Sequence, residues 1–299
     1  MIRLTSLGAA VCAVLAVAPA YANDLGSADA SGAPLSGFDR IQVTATPTQR
    51  APLDVPASVD VIDRERLDDT LTRDIKRLVR FEPGVSVTSS FGRFGLGGFR
   101  IRGLDGNRVQ IQTDGIAVSD AFSIGSFANA NRNFVDLDTL KRVEIVRGPA
   151  SSLYGSDALG GVVAFVTKDP ADYLLDGKDA YFGLKFGYEG DWRGLFGGAT
   201  AAFGGDRWSG MVALSQRQGQ ETRNHGENRS AGANRTAPHP QERDGNSVLD
   251  KLVFAPSDMQ RFRLTAESNE DNTGTDVLSS VNATTRSLLG DDSQKRRRV

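Results

Sequence analysis

Cysteine is almost missing from this 299-residue chain: the only one, Cys12, sits inside an uncharged apolar stretch near the N-terminus, Leu7 to Ala18. Arg3 precedes that stretch and Ala20-Tyr21-Ala22 follows it. A positive start, a short apolar run and a small-x-small site together make a secretory signal, so residues 1–22 are expected to be removed on export. The run is too short for a membrane-spanning helix, which needs roughly 20 apolar residues. An exported chain without cysteine has neither disulfides nor thiolate metal sites. Histidine is also scarce, at two, so no multi-histidine metal centre and no cofactor is expected. No excess of basic charge exists either: 35 Lys+Arg stand against 37 Asp+Glu, which argues against nucleic acid as a partner. After residue 22 no run of 18 apolar residues occurs. An exported chain of this kind is periplasmic, secreted, or a β-barrel whose strands alternate apolar and polar residues.

Glycine and phenylalanine are plentiful, at 33 and 15. Six of the glycines crowd between Gly92 and Gly106. They include no G-x-x-x-x-G-K-[ST] pattern and open no helix, so a phosphate cradle is not indicated. Residues 23–50 are a polar leader that contains one β-prone run, Ile41-Gln42-Val43-Thr44-Ala45-Thr46, ended by Pro47. By itself this run is either a stray edge strand or a peptide that adds to the sheet edge of a partner. Residues 51–170 read as an α+β domain. Strands are expected at Val59–Ile62, Val85–Val87, Phe99–Arg102, Arg108–Gln112, Lys141–Arg147 and Val162–Thr167. Helices are expected from the Asp63 cap to Leu71 and from Asp74 to Arg80, the second stopped by Pro83-Gly84.

The texture changes after Pro170. Phe182, Leu184, Phe186 and Tyr188 alternate with Gly183, Lys185 and Gly187; Trp208, Val212 and Leu214 oppose Ser209, Ser215 and Arg217; Phe262 and Leu264 oppose Arg261, Arg263 and Glu267. With further strands at 192–203 and 248–254, five are expected. Short turns (204–206, 256–258) alternate with a long polar loop, 219–246, which matches an outer-membrane barrel, although a soluble β-sandwich shows similar alternation.

The sequence Phe99-Arg100-Ile101-Arg102-Gly103-Leu104-Asp105-Gly106-Asn107-Arg108, followed by Thr113-Asp114-Gly115, resembles the signature of TonB-dependent receptor plugs. Leu140 to Pro149 (with Glu144, Arg147, Gly148 and Pro149) and Ser151 to Val163 (with Tyr154, Gly155, Gly160 and Gly161) continue it. The implied fold is an α+β plug domain followed by antiparallel β-strands of an incomplete outer-membrane β-barrel. Next to a plug, Ile41 to Thr46 resemble the TonB box, the strand that pairs with the TonB energy-coupling protein. Phe91–Gly95 and Phe122–Phe127 are most similar to haem/haemoglobin-type receptors. The resemblance thus implies an outer-membrane transporter of haem, haemoglobin-borne iron or an iron chelate, and no enzyme. It further implies that Arg102, Glu144 and Arg147 pair with barrel charges. His225 and His239, in the long loop, are candidates to face ligand.

Plugged transporters have about 22 strands, and only 131 residues follow residue 168. The chain is therefore expected to be a truncated receptor that transports nothing alone. The other open reading is a soluble periplasmic plug module that binds the coupling protein through residues 41–46. A hydrolase would need a G-x-S-x-G element, which is absent.

Overall fold

The computed structural model describes residues 58–90, 93–125, 128–174, 177–205, 207–257, 259–286 and 288–299. The signal segment, the leader and Ile41 to Thr46 lie outside the described residues.

Two β-structures follow one another. The first belongs to an α+β domain whose five-stranded sheet has the order β1 (Ser58–Asp63), β8 (Leu140–Arg147), β9 (Gly161–Thr167), β4 (Val109–Thr113), β5 (Ile116–Ala117). Only the β4–β9 pairing is parallel. Strands with both faces covered read as continuous apolar runs. Accordingly Val143, Ile145, Val162 and Val163 are all fully buried. On one face they meet Ile62, Leu67, Ile75, Phe99 and Ile101; on the other, Ala158 and Ala164 pack with Val59 and Val61. Each large side chain so buried contributes roughly 1.5–3 kcal/mol.

Both helices appear where expected, but shorter. Asp63 caps α1 (Arg64–Asp69) by accepting from Arg66 N, and Asp74 caps α2 (Ile75–Leu78) by accepting from Arg77 N. Leu71 ends the first excursion in a left-handed conformation, and Gly84 follows the second in the same region. Three elements lack a sequence signal: the four-residue α3 (Ser151–Tyr154) and the hairpin of β6 (Phe122–Ile124) and β7 (Ala128–Ala130). A further hairpin joins β2 (Val85–Ser90) to β3 (Gly95–Ile101).

The second structure is a meander in which each strand pairs antiparallel with the next: β10 (Ala180–Glu189), β11 (Gly194–Gly204), β12 (Trp208–Gln220), β13 (Gln241–Ser257), β14 (Gln260–Asp276) and β15 (Leu289–Arg298). Five strands were expected; the meander has six, and β10 and β15 are its open edges. The ladders also run further than apolar alternation suggests. β12 continues to Gln220 and β13 begins at Gln241, so the long connection is 221–240 rather than 219–246. Polar residues extend the strands beyond the apolar band because backbone pairing does not need apolar side chains.

One face of the meander is apolar and exposed, with Phe182, Leu184, Phe186, Tyr188, Phe262 and Leu264 all outward. Near the short-turn end Trp208, Phe254 and Phe262 stand in register on β12, β13 and β14, with ring centroids 4.3 and 6.3 Å apart. The other face is polar and lies against the α+β domain. There Met211, Ala213 and Leu249 bury Tyr173 and Leu174 of the linking segment.

Candidate functional site: the interface between the two structures

Asp114 and Gly115 are the two central residues of the β4–β5 hairpin, and both have positive φ (49° and 83°). This is the geometry that favours Asp-Gly in two-residue turns. The Asp114 carboxylate also accepts from Thr167 N (2.8 Å), Thr167 Oγ1 (2.7 Å) and Arg298 Nη2 (2.7 Å), with Lys251 Nζ at 3.8 Å. Burial alone would push this carboxyl up. The Lys251 charge and the hydrogen bonds from Thr167 and Arg298 outweigh burial and hold it below the usual carboxylate range. The signature thus fixes a turn and ties it to the meander.

The other signature residues shape the domain from within. Arg100 binds Asp105 at 2.6 Å and Arg102 is exposed with φ +49°, followed by Gly103 at +84°. Gly148 and Gly155 also have positive φ, with exposed Pro149 between them. Gly160 and Gly161 sit where backbone closes on backbone: a Cβ at Gly161 would fall 2.2 Å from the Val146 carbonyl oxygen. Burial and the nearby Glu144 charge push the Tyr154 phenol up to about 12.

The expected pairing of Arg102, Glu144 and Arg147 with the strands is corrected in part. Fully buried Glu144 accepts from Arg142 (2.8 Å), and Arg147 binds Asp60 (2.7 Å) and donates to Pro83 O (2.8 Å). Glu144 and Arg147 lie on β8, an interior strand flanked by β1 and β9, so these ties stay within the domain.

Other charges cross the boundary. At the long-loop end Arg77 meets Asp191 (2.7 Å) and Glu189 (3.4 Å), and Arg93 grips Asp292 (2.6 Å). Gln241 Nε2 donates to Arg93 O there at 3.2 Å. Midway, Asp136 accepts from Arg217 (2.7 Å) and Ser215 (2.6 Å), while Asp138 meets Lys185 (2.6 Å) and Arg73 (3.2 Å). Burial would raise the Asp138 carboxyl, but the Lys185 hydrogen bond and the charges of Arg217, Lys185 and Arg73 keep it low. Toward the short turns Asp169 takes Lys251 (3.0 Å), Arg261 (3.2 Å) and Arg263 (2.6 Å), and the Lys251 side chain is wholly buried.

Beyond the Arg93 grip opens a cavity of about 860 Å³, between the α+β domain and connection 221–240. Arg93, Phe94 and Asn131 line it on one side, Arg235, His239 and Asp292 on the other. His225 is exposed on this connection. His239 is not the solvated side chain that a polar loop suggests: it is 8% exposed and both ring nitrogens are engaged.

The family model "TonB-dependent Receptor Plug Domain" matches residues 51–162. Lactoferrin-binding protein A of Neisseria meningitidis serogroup B is 34% identical over 224 residues, covering 72% of this chain and 24% of the relative. Hemoglobin-binding protein A of Haemophilus influenzae is 36% identical over 217 residues, covering 68% and 21%. The chain belongs to the TonB-dependent receptors. Hemoglobin-haptoglobin utilization protein B of Neisseria meningitidis serogroup C is 31% identical over 322 residues, covering 94% of this receptor chain and 38% of the relative. The chain therefore spans between about a fifth and two fifths of these relatives. Among solved structures, the FrpB iron transporter from Neisseria meningitidis has a TM-score of 0.64 at 19% identity, covering 80% of this chain and 37% of that one. The ferripyoverdine receptor of the outer membrane of Pseudomonas aeruginosa gives 0.63 at 18% identity, covering 85% and 32%. The α+β domain is the plug and the meander is barrel wall.

The missed residues are Asp136, Asp138, Asp169, Arg217 and Lys251. Arg217 carries the one sequence signal: like Lys185 it occupies the polar alternation of a strand whose other face is apolar, whereas Lys251 shares its face with apolar Leu249 and Val253.

Proposed function

We propose that this chain is the plug and adjoining wall of an outer-membrane receptor for active uptake of an iron source carried by a host protein. The curated relatives named above carry names for lactoferrin binding, haemoglobin binding and haemoglobin-haptoglobin utilization, which supports a protein-borne source over a free chelate. The wall's outward aromatic row suits the membrane interface.

The observation that carries the reading is the ionic seam. Plug carboxylates Asp114, Asp136, Asp138 and Asp169 are each engaged by cations of the wall. Such a seam holds a plug firmly yet without covalent bonds, so a pull can part it. In this reading residues 41–46 add as a strand to the TonB energy-coupling protein, solute enters at the apical cavity, and the plug shifts to let it pass. No bond in the solute is made or broken.

Calorimetric titration of the purified chain with the periplasmic domain of the coupling protein tests the coupling step. Binding that disappears on deletion of residues 41–46 is expected; undiminished binding by the deletion variant would overturn the assignment. Capture of haemoglobin, lactoferrin or a ferric siderophore by cells displaying the complete receptor tests the solute, and siderophore capture alone would overturn a protein-borne source.

A further inference from the structure

His239 joins two outer connections. Its Nδ1 accepts from Leu278 N at 3.1 Å, and its Nε2 lies 3.1 Å from Ser279 Oγ. A backbone N–H can only donate, so Nδ1 must hold a lone pair; the ring is neutral and its proton resides on Nε2. The same two connections are joined by Gly232 N donating to Leu278 O (2.9 Å), and at their base the N–H of Asp276, which ends β14, donates to Pro240 O (3.1 Å). Within 221–240, Asn228 closes the loop on itself, with Thr236 and Ala237 both donating to its carbonyl and its own N donating to Thr236 Oγ1. His239 and Ser279 both line the apical cavity.

We propose that connection 221–240 and residues 277–286 form one rim over the apical cavity, clasped by neutral His239 and released when that ring takes a proton. The proposal rests on the reading of this cavity as the solute entrance. A second proton on the ring would place N–H against the N–H of Leu278, replacing a hydrogen bond with a repulsive pair. The charged groups that act on the ring are Arg235 on its own connection and Asp276 at the end of β14; Glu221, which accepts from Gln241 N, and Arg93 of the plug, whose carbonyl accepts from Gln241, line the same cavity. Burial first, and then the Arg235 charge, lower the His239 pKa, while Asp276 acts the other way. A histidine whose folded pKa is lowered contributes stability above its unfolded value of about 6.5, and loses it as pH falls toward the folded value. The rim is thus clasped at neutral pH and freed in mild acid.

Amide hydrogen exchange on the purified chain, corrected for intrinsic rates, tests this without ligand or coupling protein, so its outcome is separate from that of the transport reading. Protection of residues 226–237 and 278–281 is expected to fall about tenfold or more between pH 7.5 and 5.0. His239→Gln, which accepts and donates but does not titrate, is expected to abolish that dependence, and His225→Gln to leave it intact. Unchanged protection in the wild type, or a pH loss that persists in His239→Gln, overturns the proposal. Should the variant lose the clasp at both pH values while β8 stays protected, nitrogen NMR of wild-type His239 decides. A titration midpoint below 6.5 that coincides with the loss of rim protection supports the clasp, and a midpoint displaced from it overturns the clasp.

Discussion

Asp138 of the plug and Lys185 of the wall meet at 2.6 Å across 47 residues of sequence, and Arg73 reaches the same carboxylate from the plug side at 3.2 Å. The lysine side chain is 38% exposed, so solvent screens the pair and its own contribution is small, about 0.5–1 kcal/mol. A double-mutant cycle with Asp138→Asn and Lys185→Met, read by urea unfolding, is expected to return a coupling of that size.

Asp114 is the stronger tie. Its carboxylate is 10% exposed and faces Lys251 and Arg298 at 0% and 6%. Asn tolerates the left-handed backbone of the turn nearly as well as Asp, so Asp114→Asn removes the charge and keeps the hairpin. Leaving buried cations short of a partner is expected to cost about 3–5 kcal/mol. Denaturant unfolding measures the loss, and a change under 1 kcal/mol would show the tie to be decorative.

Acid acts on the same seam. Asp114 and Asp138 both have folded pKa values below the ordinary one, so their ties are fully present above the unfolded value of about 3.9 and fade as pH falls through the folded values. The urea midpoint of the wild-type chain is expected to drop below pH 4. In the Asp114→Asn, Asp138→Asn double variant that drop should be visibly shallower.

Two glycines with positive φ separate backbone preference from space. A Cβ at Gly155 (φ +86°, ψ −172°) meets nothing within 4 Å, so Gly155→Ala is expected to cost only the strain of a backbone region that glycine alone occupies readily, about 1–3 kcal/mol. Gly161→Ala collides with the Val146 carbonyl and is expected to prevent the plug from folding. Thermal melts of the two variants distinguish these effects.

The two tryptophans report on opposite surroundings. Trp208 faces outward beside Phe254, whereas Trp192 donates from Nε1 to Glu189 at the long-loop end. Brominated lipid is expected to quench Trp208 and spare Trp192. Trp208→Phe should remove most of the quenching, and equal quenching of both would contradict the assignment of the faces.

Local pattern made much of this readable. Period-two alternation in 181–188 and 261–267 named the outward and inward faces, and the capping aspartates Asp63 and Asp74 marked where helices begin. Alternation could not reveal β15, since Leu289–Arg298 has no apolar face; it pairs with the equally polar upper half of β14, helped by matches such as Lys295 with Glu270 at 2.9 Å. The seam was illegible for a different reason. Asp136 and Arg217 lie 81 residues apart, and each, taken alone, is the kind of residue that ordinarily faces water. Only the closing of the plug against the wall makes them partners.

The seam also has a polarity along the pore. Toward the long loops the plug presents Arg77 and Arg93 to wall acids; toward the short turns it presents Asp114 and Asp169 to wall bases. Seated upside down, the same plug would confront like charge with like at both ends. The sequence of signs therefore works as a key cut for one heading of the plug.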